Sequence, residues 1–301
     1  MEINESLTKS GIFFVYKIKG ENMRISNGFD IYKLKRAGMT NLSILRVLEN
    51  NENQSLSQIA QLAGIKNQEI FIEKYKSLDI KNEKKIYRQF SSISILDSEY
   101  PTRLKEIYNP PALLFYSGNI DLLQKPILSF VGSRNASKIG IKTVHKLITE
   151  LGNKFVIASG LATGIDTASH ISTMKNKGKT IAVIGTGLDR YYPKENREIQ
   201  SFIGRNHLLL TEYLPGESPK RFHFPERNRI LAGIALGVVV IEARIKSGSL
   251  ITCERALDEG RDVFAVPGNI IEGNSSGCNF LIQDGAKLIN SGLDIILEYD
   301  F

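Results

Sequence analysis

The chain has 301 residues, 42% hydrophobic and 24% charged, with 25 glycines and 9 prolines, which excludes wholesale disorder and allows one large core plus a small domain. Lys and Arg exceed Asp and Glu by 39 − 32 = 7, and the pI is about 9.2, which permits a polyanionic partner without requiring one. Cys253, Cys278 and four scattered histidines offer neither metal-ligand spacing nor a disulfide framework, and the GIFFVY run at 11–16 is too short for a secretory core. No 18-residue apolar stretch occurs, so the chain reads as soluble and cytoplasmic with no metal and no cofactor.

In chain order, residues 23–90 carry a helical period: IYKLKRAGM, NLSILRVLE, SLSQIAQLAG and EIFIEKYKSL place apolar residues three and four apart. The stretch SLSQIAQLAGIKNQEIFIEKY has the outline of a helix-turn-helix, but a plain helical packing module explains it better. Residues 91–125 hold a Pro-Pro pair and a Gly-Asn turn around one short strand, ALLFY, and read as a linker docked on the larger core.

From 126 to 301 the texture changes to apolar strand, glycine loop and amphipathic helix in repetition. ILSFV leads to GSRNAS, FVIAS to GLATGID, TIAVIG to TGLDRYYP, GVVVIEA to RIKSGS, and DVFAV to PGN. Strands that are apolar throughout are buried on both faces, so the expected fold class is α/β, a doubly wound, mostly parallel sheet. Ligands of such sheets bind at the carboxyl ends of the strands, where every one of these loops falls.

The loop VGSRNAS lacks the G-x-G-x-x-G spacing of a dinucleotide site, yet Gly132, Ser133 and Arg134 at a strand-to-helix turn suit an anion. The same residues also make an ordinary turn with a surface arginine. SGLATGID brings Gly160, Gly164 and Asp166, and GTGLDRYYPKEN interleaves Arg190 and Lys194 with Tyr191 and Tyr192, a mixture suited to phosphates and stacked bases. KSGSLITCE supplies Gly248 and Ser249, with Glu254 at an offset that suggests a nucleotide N-glycosidase, although the double glycine such an enzyme uses is missing. No P-loop, G-x-S-x-G or carboxylate pair is present.

VGSR, SGLATGID with His170 after it, TIAVIGTGLDRYYPKEN, TEYLPGESP, FHFPERNRILAG, VVVIEA, SGSLITCERAL, GRDVFAVPG and GCNFLIQDGAK, in this order, resemble the DNA-processing protein A family, also called DprA or Smf. The resemblance is dense from about 90 to 290. It implies an extended Rossmann-like core, a helical domain similar to sterile-alpha-motif folds, and a homodimer. It also implies binding of single-stranded DNA and loading of the recombinase RecA in natural transformation, without enzymatic activity. The family's phosphate-contacting arginine falls on Arg134, its later basic positions on Lys194 and Arg221, and its Arg-Asn-Arg on Arg227, Asn228 and Arg229.

The full set expected at the DNA is Gly132, Ser133, Arg134, Gly160, Gly164, Lys194, Arg221, Phe222, Arg227, Asn228, Arg229, Gly248 and Ser249, with Tyr192 or Phe222 stacking a base. Helical spacing turns Arg227 and Arg229 to different sides, so Arg229 is expected to brace a carboxylate such as Glu226 or Glu242. Asn279, Ile282, Leu288 and Ile289 are expected at a dimer surface, with burial in the chain's own core an equal alternative, and Glu254, Leu257 and Asp258 at a RecA contact. The resemblance implies a start at Met23, so residues 1–22 are expected to be an extension outside the natural protein, and the ending at YDF leaves no C-terminal winged helix expected.

Overall fold

A computed structural model describes residues 22–299 of the protein; the expected extension, apart from its last residue, lies outside this range. The helical segment forms α1 (Gly28–Arg36), α2 (Asn41–Glu49), α3 (Leu56–Leu62), α4 (Gln68–Lys76) and α5 (Ile80–Tyr87). Asn27, Thr40, Ser55 and Asp79 accept the N–H of Asp30, Ser43, Gln58 and Asn82, capping donors that have no partner inside the helix. Ile31, Tyr32, Leu34, Ile44 and Ile59 close the interior of this domain.

The remainder runs β1 (Ser91–Ser94), α6 (Thr102–Lys105), β2 (Leu113–Gly118), β3 (Ile127–Gly132), α7 (Lys138–Leu151), β4 (Val156–Ser159), α8 (Ile165–Lys175), β5 (Thr180–Val183) and α9 (Arg197–Asn206). It continues through β6 (Leu208–Thr211), α10 (His223–Ile234), β7 (Gly237–Ile241), α11 (Gly248–Asp258), β8 (Asp262–Ala265), α12 (Ser276–Gln283), β9 (Lys287–Leu288) and α13 (Gly292–Ile296). The strands make one nine-stranded sheet in the order β1-β2-β6-β5-β4-β3-β7-β8-β9. Neighbours from β6 through β9 are parallel.

Residues 91–125, expected to be a linker, instead contribute β1 and β2, which extend the sheet antiparallel beyond β6. Only ALLFY carried a strand pattern, because β1 is the short polar edge SSIS. Alternation along the central strands divides the core: Leu128, Phe130, Val239 and Ile241 pack with Val144, Leu147 and Ile148 of α7. Ile127, Val131, Val238 and Val240 face Ile230, Leu231 and Ile234 of α10. Helices therefore cover both faces of a Rossmann-like sheet.

The helical domain rests on β2. Phe115 of that strand is fully buried in the helical domain's own cluster, its ring 6.2 Å from Tyr32 and 6.0 Å from Tyr87. Replacing it empties a site shared by both parts, so Phe115→Ala is predicted to lower unfolding stability by about 3–5 kcal/mol in denaturant melts. A loss below about 1 kcal/mol would mean that the domain does not lean on this strand.

Candidate nucleic-acid interface

The chain leaves β3 towards β4, β5 and β6 on one side, then returns to lay β7 and β8 on the other. The carboxyl ends of β3 and β7 therefore flank the switch point, the place where a doubly wound sheet opens a crevice. A cavity of about 760 Å³ lies there, lined by the loops after β3, β4 and β7 and by the first turns of α10 and α11. A separate depression of about 850 Å³ is lined by side chains of α8 and α9, among them Ile171, Met174 and Phe202, rather than by strand-end loops.

Arg134, Arg221 and Arg244 line the switch-point cavity and are exposed. The Phe224 ring forms part of the wall, with the Arg134 guanidinium 5.8 Å from its centroid and the Tyr192 ring 5.3 Å away. An open wall of guanidinium groups beside paired aromatic faces has the chemistry to hold phosphates and stack bases. Tyr213 and His223 fix the start of α10 behind it: their rings stack at 3.8 Å, and the Tyr213 hydroxyl donates to the His223 carbonyl at 2.9 Å.

The two arginines of Arg-Asn-Arg point apart, as the helical period requires. Arg227 lines the floor but is buried; Nη1 donates to the Val183 carbonyl, and Nε has no partner among the described residues. Burial pushes the neighbouring Asp166 carboxyl up, opposed by the Arg227 charge. Asn228 reaches across to α11, donating to the Gly248 carbonyl at 3.3 Å.

Arg229 turns away from the cavity. Its Nη1 and Nη2 grip the two carboxylate oxygens of Glu212, the latter at 2.7 Å, and its Nε donates to the Asn109 carbonyl at 2.7 Å. Arg229 is thus the brace that the helical period suggested, but the carboxylate is Glu212 and not Glu226 or Glu242. Glu226 offers only its backbone carbonyl, at 3.0 Å. A guanidinium committed to this pair cannot reach DNA, which removes Arg229 from the expected contacts.

The glycines also depart from the expected phosphate cradle. A Cβ on Gly132 would lie 2.0 Å from the Ile241 carbonyl oxygen, and one on Gly160 2.3 Å from the Arg227 guanidinium. Gly164, at φ +78, passes so close to Ser133 that a Cβ would fall 2.1 Å from its carbonyl oxygen. These three glycines admit the protein's own atoms, and neither Gly160 nor Gly164 lines the cavity. Gly248 does line it and has open space where a Cβ would stand, while Ser249 donates to the Gly132 carbonyl at 2.8 Å.

The N-terminus of α7, where an incoming anion was expected, already holds one. The Glu242 carboxylate accepts the Ser137 N–H at 2.7 Å and the Ser137 hydroxyl through its other oxygen. Gly140 leaves it room, since a Cβ there would sit 2.4 Å from the carboxylate. Glu242 reaches this position with φ +51, a left-handed conformation that costs a non-glycine residue about 1–2 kcal/mol.

Of the expected DNA residues, Gly132, Ser133, Arg134, Arg221, Arg227, Asn228, Gly248 and Ser249 meet at the cavity; Lys194 and Phe222 are exposed outside its lining. Arg244, Phe224, Asn135 and Asn274 line it and were missed. Arg244 and Phe224 stood in motifs already singled out, two residues beyond Glu242 and within Phe-His-Phe-Pro, so proximity to a strand end could have found them. At the expected dimer surface, Ile289 is buried in the chain's own core, Ile282 packs partly buried against it, and Asn279 bonds both ways with Gly268. Leu288 alone of that set is exposed. Glu254, Leu257 and Asp258 are exposed on α11.

The fold and site thus combine a Rossmann-like core, a basic, aromatic crevice at its switch point and a small helical domain. The DNA recombination-mediator protein A model matches residues 91–300, and the DNA processing protein A sterile alpha motif domain matches residues 26–83. The chain belongs to this family, also known as DprA or Smf. It is 55% identical to the DNA processing protein DprA of Streptococcus pneumoniae over 283 residues, covering 93% of this chain and 100% of the relative. The corresponding protein of Bacillus subtilis is 45% identical, over 70% of this chain and 73% of its own length.

Among solved structures, the X-ray structure of the S. pneumoniae protein matches with a TM-score of 0.89 at 55% identity, covering 93% of this chain and 100% of that one. DNA processing protein A of Helicobacter pylori, described for its single-stranded DNA binding mode, matches with a TM-score of 0.63 at 28% identity, covering 70% of this chain and 95% of that one. No helix among the described residues is long and apolar enough to cross a membrane.

Burial opposes ionisation of Glu212, but the Arg229 guanidinium overcomes it and holds the carboxyl below its ordinary range. Removing one partner strands the other charge in the interior, so Arg229→Ala is predicted to cost about 3–5 kcal/mol in denaturant melts. Because the folded-state pKa of Glu212 is depressed, its contribution is present above the ordinary glutamate range and is lost as pH falls through the folded value. Stability of the native chain should therefore decline more steeply on acidification than that of Glu212→Gln, measured by melts across the acidic range.

Proposed function

We propose that this protein binds single-stranded DNA at the switch-point cavity, without ATP, and loads RecA onto the strand as a recombination mediator. The observation that carries this reading is the exposed trio Arg134, Arg221 and Arg244 beside the Tyr192 and Phe224 rings. Arginines hold successive phosphates and aromatic faces accept any base, so binding is strong in low salt and weak in sequence preference. Membership of the recombination-mediator family supports the same reading, as does the single-stranded DNA binding described for the H. pylori relative.

The N-glycosidase alternative loses support because Glu254, its proposed acid-base group, is exposed on α11 and does not line the cavity. The protein acts by binding and holding, with natural transformation as its setting. The working unit is a homodimer, and with Ile289 committed to the core its exposed apolar candidates are Phe280 and Leu288. Glu254, Leu257 and Asp258 form the accessible face offered to RecA.

Fluorescence anisotropy of a labelled poly-dT strand in a salt titration tests the DNA site. The native chain is predicted to bind without ATP, with log K falling against log salt at a slope of about −2 to −4, and Arg134→Ala to reduce that slope by about 0.7. No binding by the native chain would overturn the function, whereas an unchanged slope in the variant would move the site elsewhere. For the dimer, Phe280→Asp is predicted to shift the mass measured by light scattering towards one chain; an unchanged mass would exclude this face.

A further inference from the structure

Glu242 is built into the cavity at a substantial structural cost, although a carboxylate has no attraction for a polyanion. It is nine-tenths buried, stands at the end of β7 in a left-handed conformation, and lines the cavity. Its two oxygens take the N–H and hydroxyl of Ser137, the N-cap of α7. The side chain of Ser137 also caps that helix, accepting the Gly140 N–H at 3.0 Å. The carboxylate thus sits against the N-cap of α7 at the switch point, at the end of the helix whose dipole favours an anion.

We propose that Glu242 is a specificity-determining residue: a resident anion that closes the cavity to free phosphomonoesters, such as nucleoside monophosphates and inorganic phosphate. This rests on the proposed strand binding and refines it. A phosphomonoester carries close to two negative charges at neutral pH, and its compact tetrahedron fits best where a helix N-terminus supplies N–H donors. Glu242 already fills that position and repels a second anion beside it.

A phosphodiester carries one charge per group and does not depend on a single point. Its neighbouring phosphates and bases spread their contacts over the exposed Arg134, Arg221 and Arg244 and over the aromatic wall. The same carboxylate therefore penalises a lone nucleotide more than a strand. In a cell rich in mononucleotides, this keeps the cavity available for polymer. The Gly140 position is part of the device, because only glycine leaves the carboxylate its space.

The test uses the full chain and two neutral variants, Glu242→Gln and Glu242→Ser, the second being smaller should the amide not be accommodated. Direct titration with thymidine monophosphate and with inorganic phosphate, followed by calorimetry or by phosphorus NMR line broadening, needs no DNA binding. Strand affinity is measured in parallel by anisotropy, and circular dichroism melts establish that each variant is folded.

The ratio of monophosphate affinity to strand affinity is predicted to rise at least about tenfold in a folded neutral variant. Glu242→Asp, which keeps the charge, should leave that ratio within about threefold of the native value. A folded neutral variant with an unchanged ratio would overturn the proposal, as would tight monophosphate binding by the native chain. Failure of the native chain to bind the strand would instead count against the strand-binding reading, since the monophosphate titration is read without it.

Discussion

The buried pair of Arg229 and Glu212 joins parts of the chain that lie on different elements. Arg229 belongs to α10, Glu212 stands directly after β6, and the Arg229 Nε reaches the Asn109 carbonyl in the segment before β2. Lys35 of the helical domain donates to the Glu212 backbone carbonyl at 2.7 Å. One desolvated charge pair therefore ties the helical domain, the antiparallel edge and the helix that carries Arg227 and Asn228. Such a pair resists substitution because either charge alone is costly in the interior.

Around that anchor, the molecule separates charges that hold it together from charges exposed at the cavity. Arg227 and Arg229 are buried and directed at protein atoms, while Arg134, Arg221 and Arg244 remain exposed at the rim. His170 belongs with the first group: it is fully buried, bonded to the Thr180 hydroxyl at 2.7 Å, and its pKa is pushed down to about 3, chiefly by burial. It stays neutral at working pH and packs the sheet. The two cysteines are likewise buried and free, with burial raising both thiols.

Much of this was legible in the sequence because apolar runs and glycine loops report local demands. ILSFV, FVIAS, TIAVIG, GVVVIEA and DVFAV all became strands of one sheet, and eight of the expected DNA residues line one cavity: Gly132, Ser133, Arg134, Arg221, Arg227, Asn228, Gly248 and Ser249. What escaped was long-range. The polar edge strand β1 has no periodic signal of its own and exists only because β2 is beside it. A glycine motif does not state whether its missing side chain makes room for a phosphate or for Arg227. The identity of Glu212 as the partner of Arg229 depends on a contact between positions 17 residues apart, on different elements. The same limit hid the placement of Glu242 on Ser137, across 105 residues.

The central claim is that a strand lies across the switch-point cavity, against the Tyr192 and Phe224 rings. Photocross-linking of the native chain to a bromodeoxyuridine-substituted strand, with peptide mass spectrometry of the products, locates the bases directly. Cross-links are predicted to concentrate on the peptides carrying Tyr192 and Phe224. Cross-links confined to residues 23–90, with none on those two peptides, would contradict it and transfer DNA binding to the helical domain.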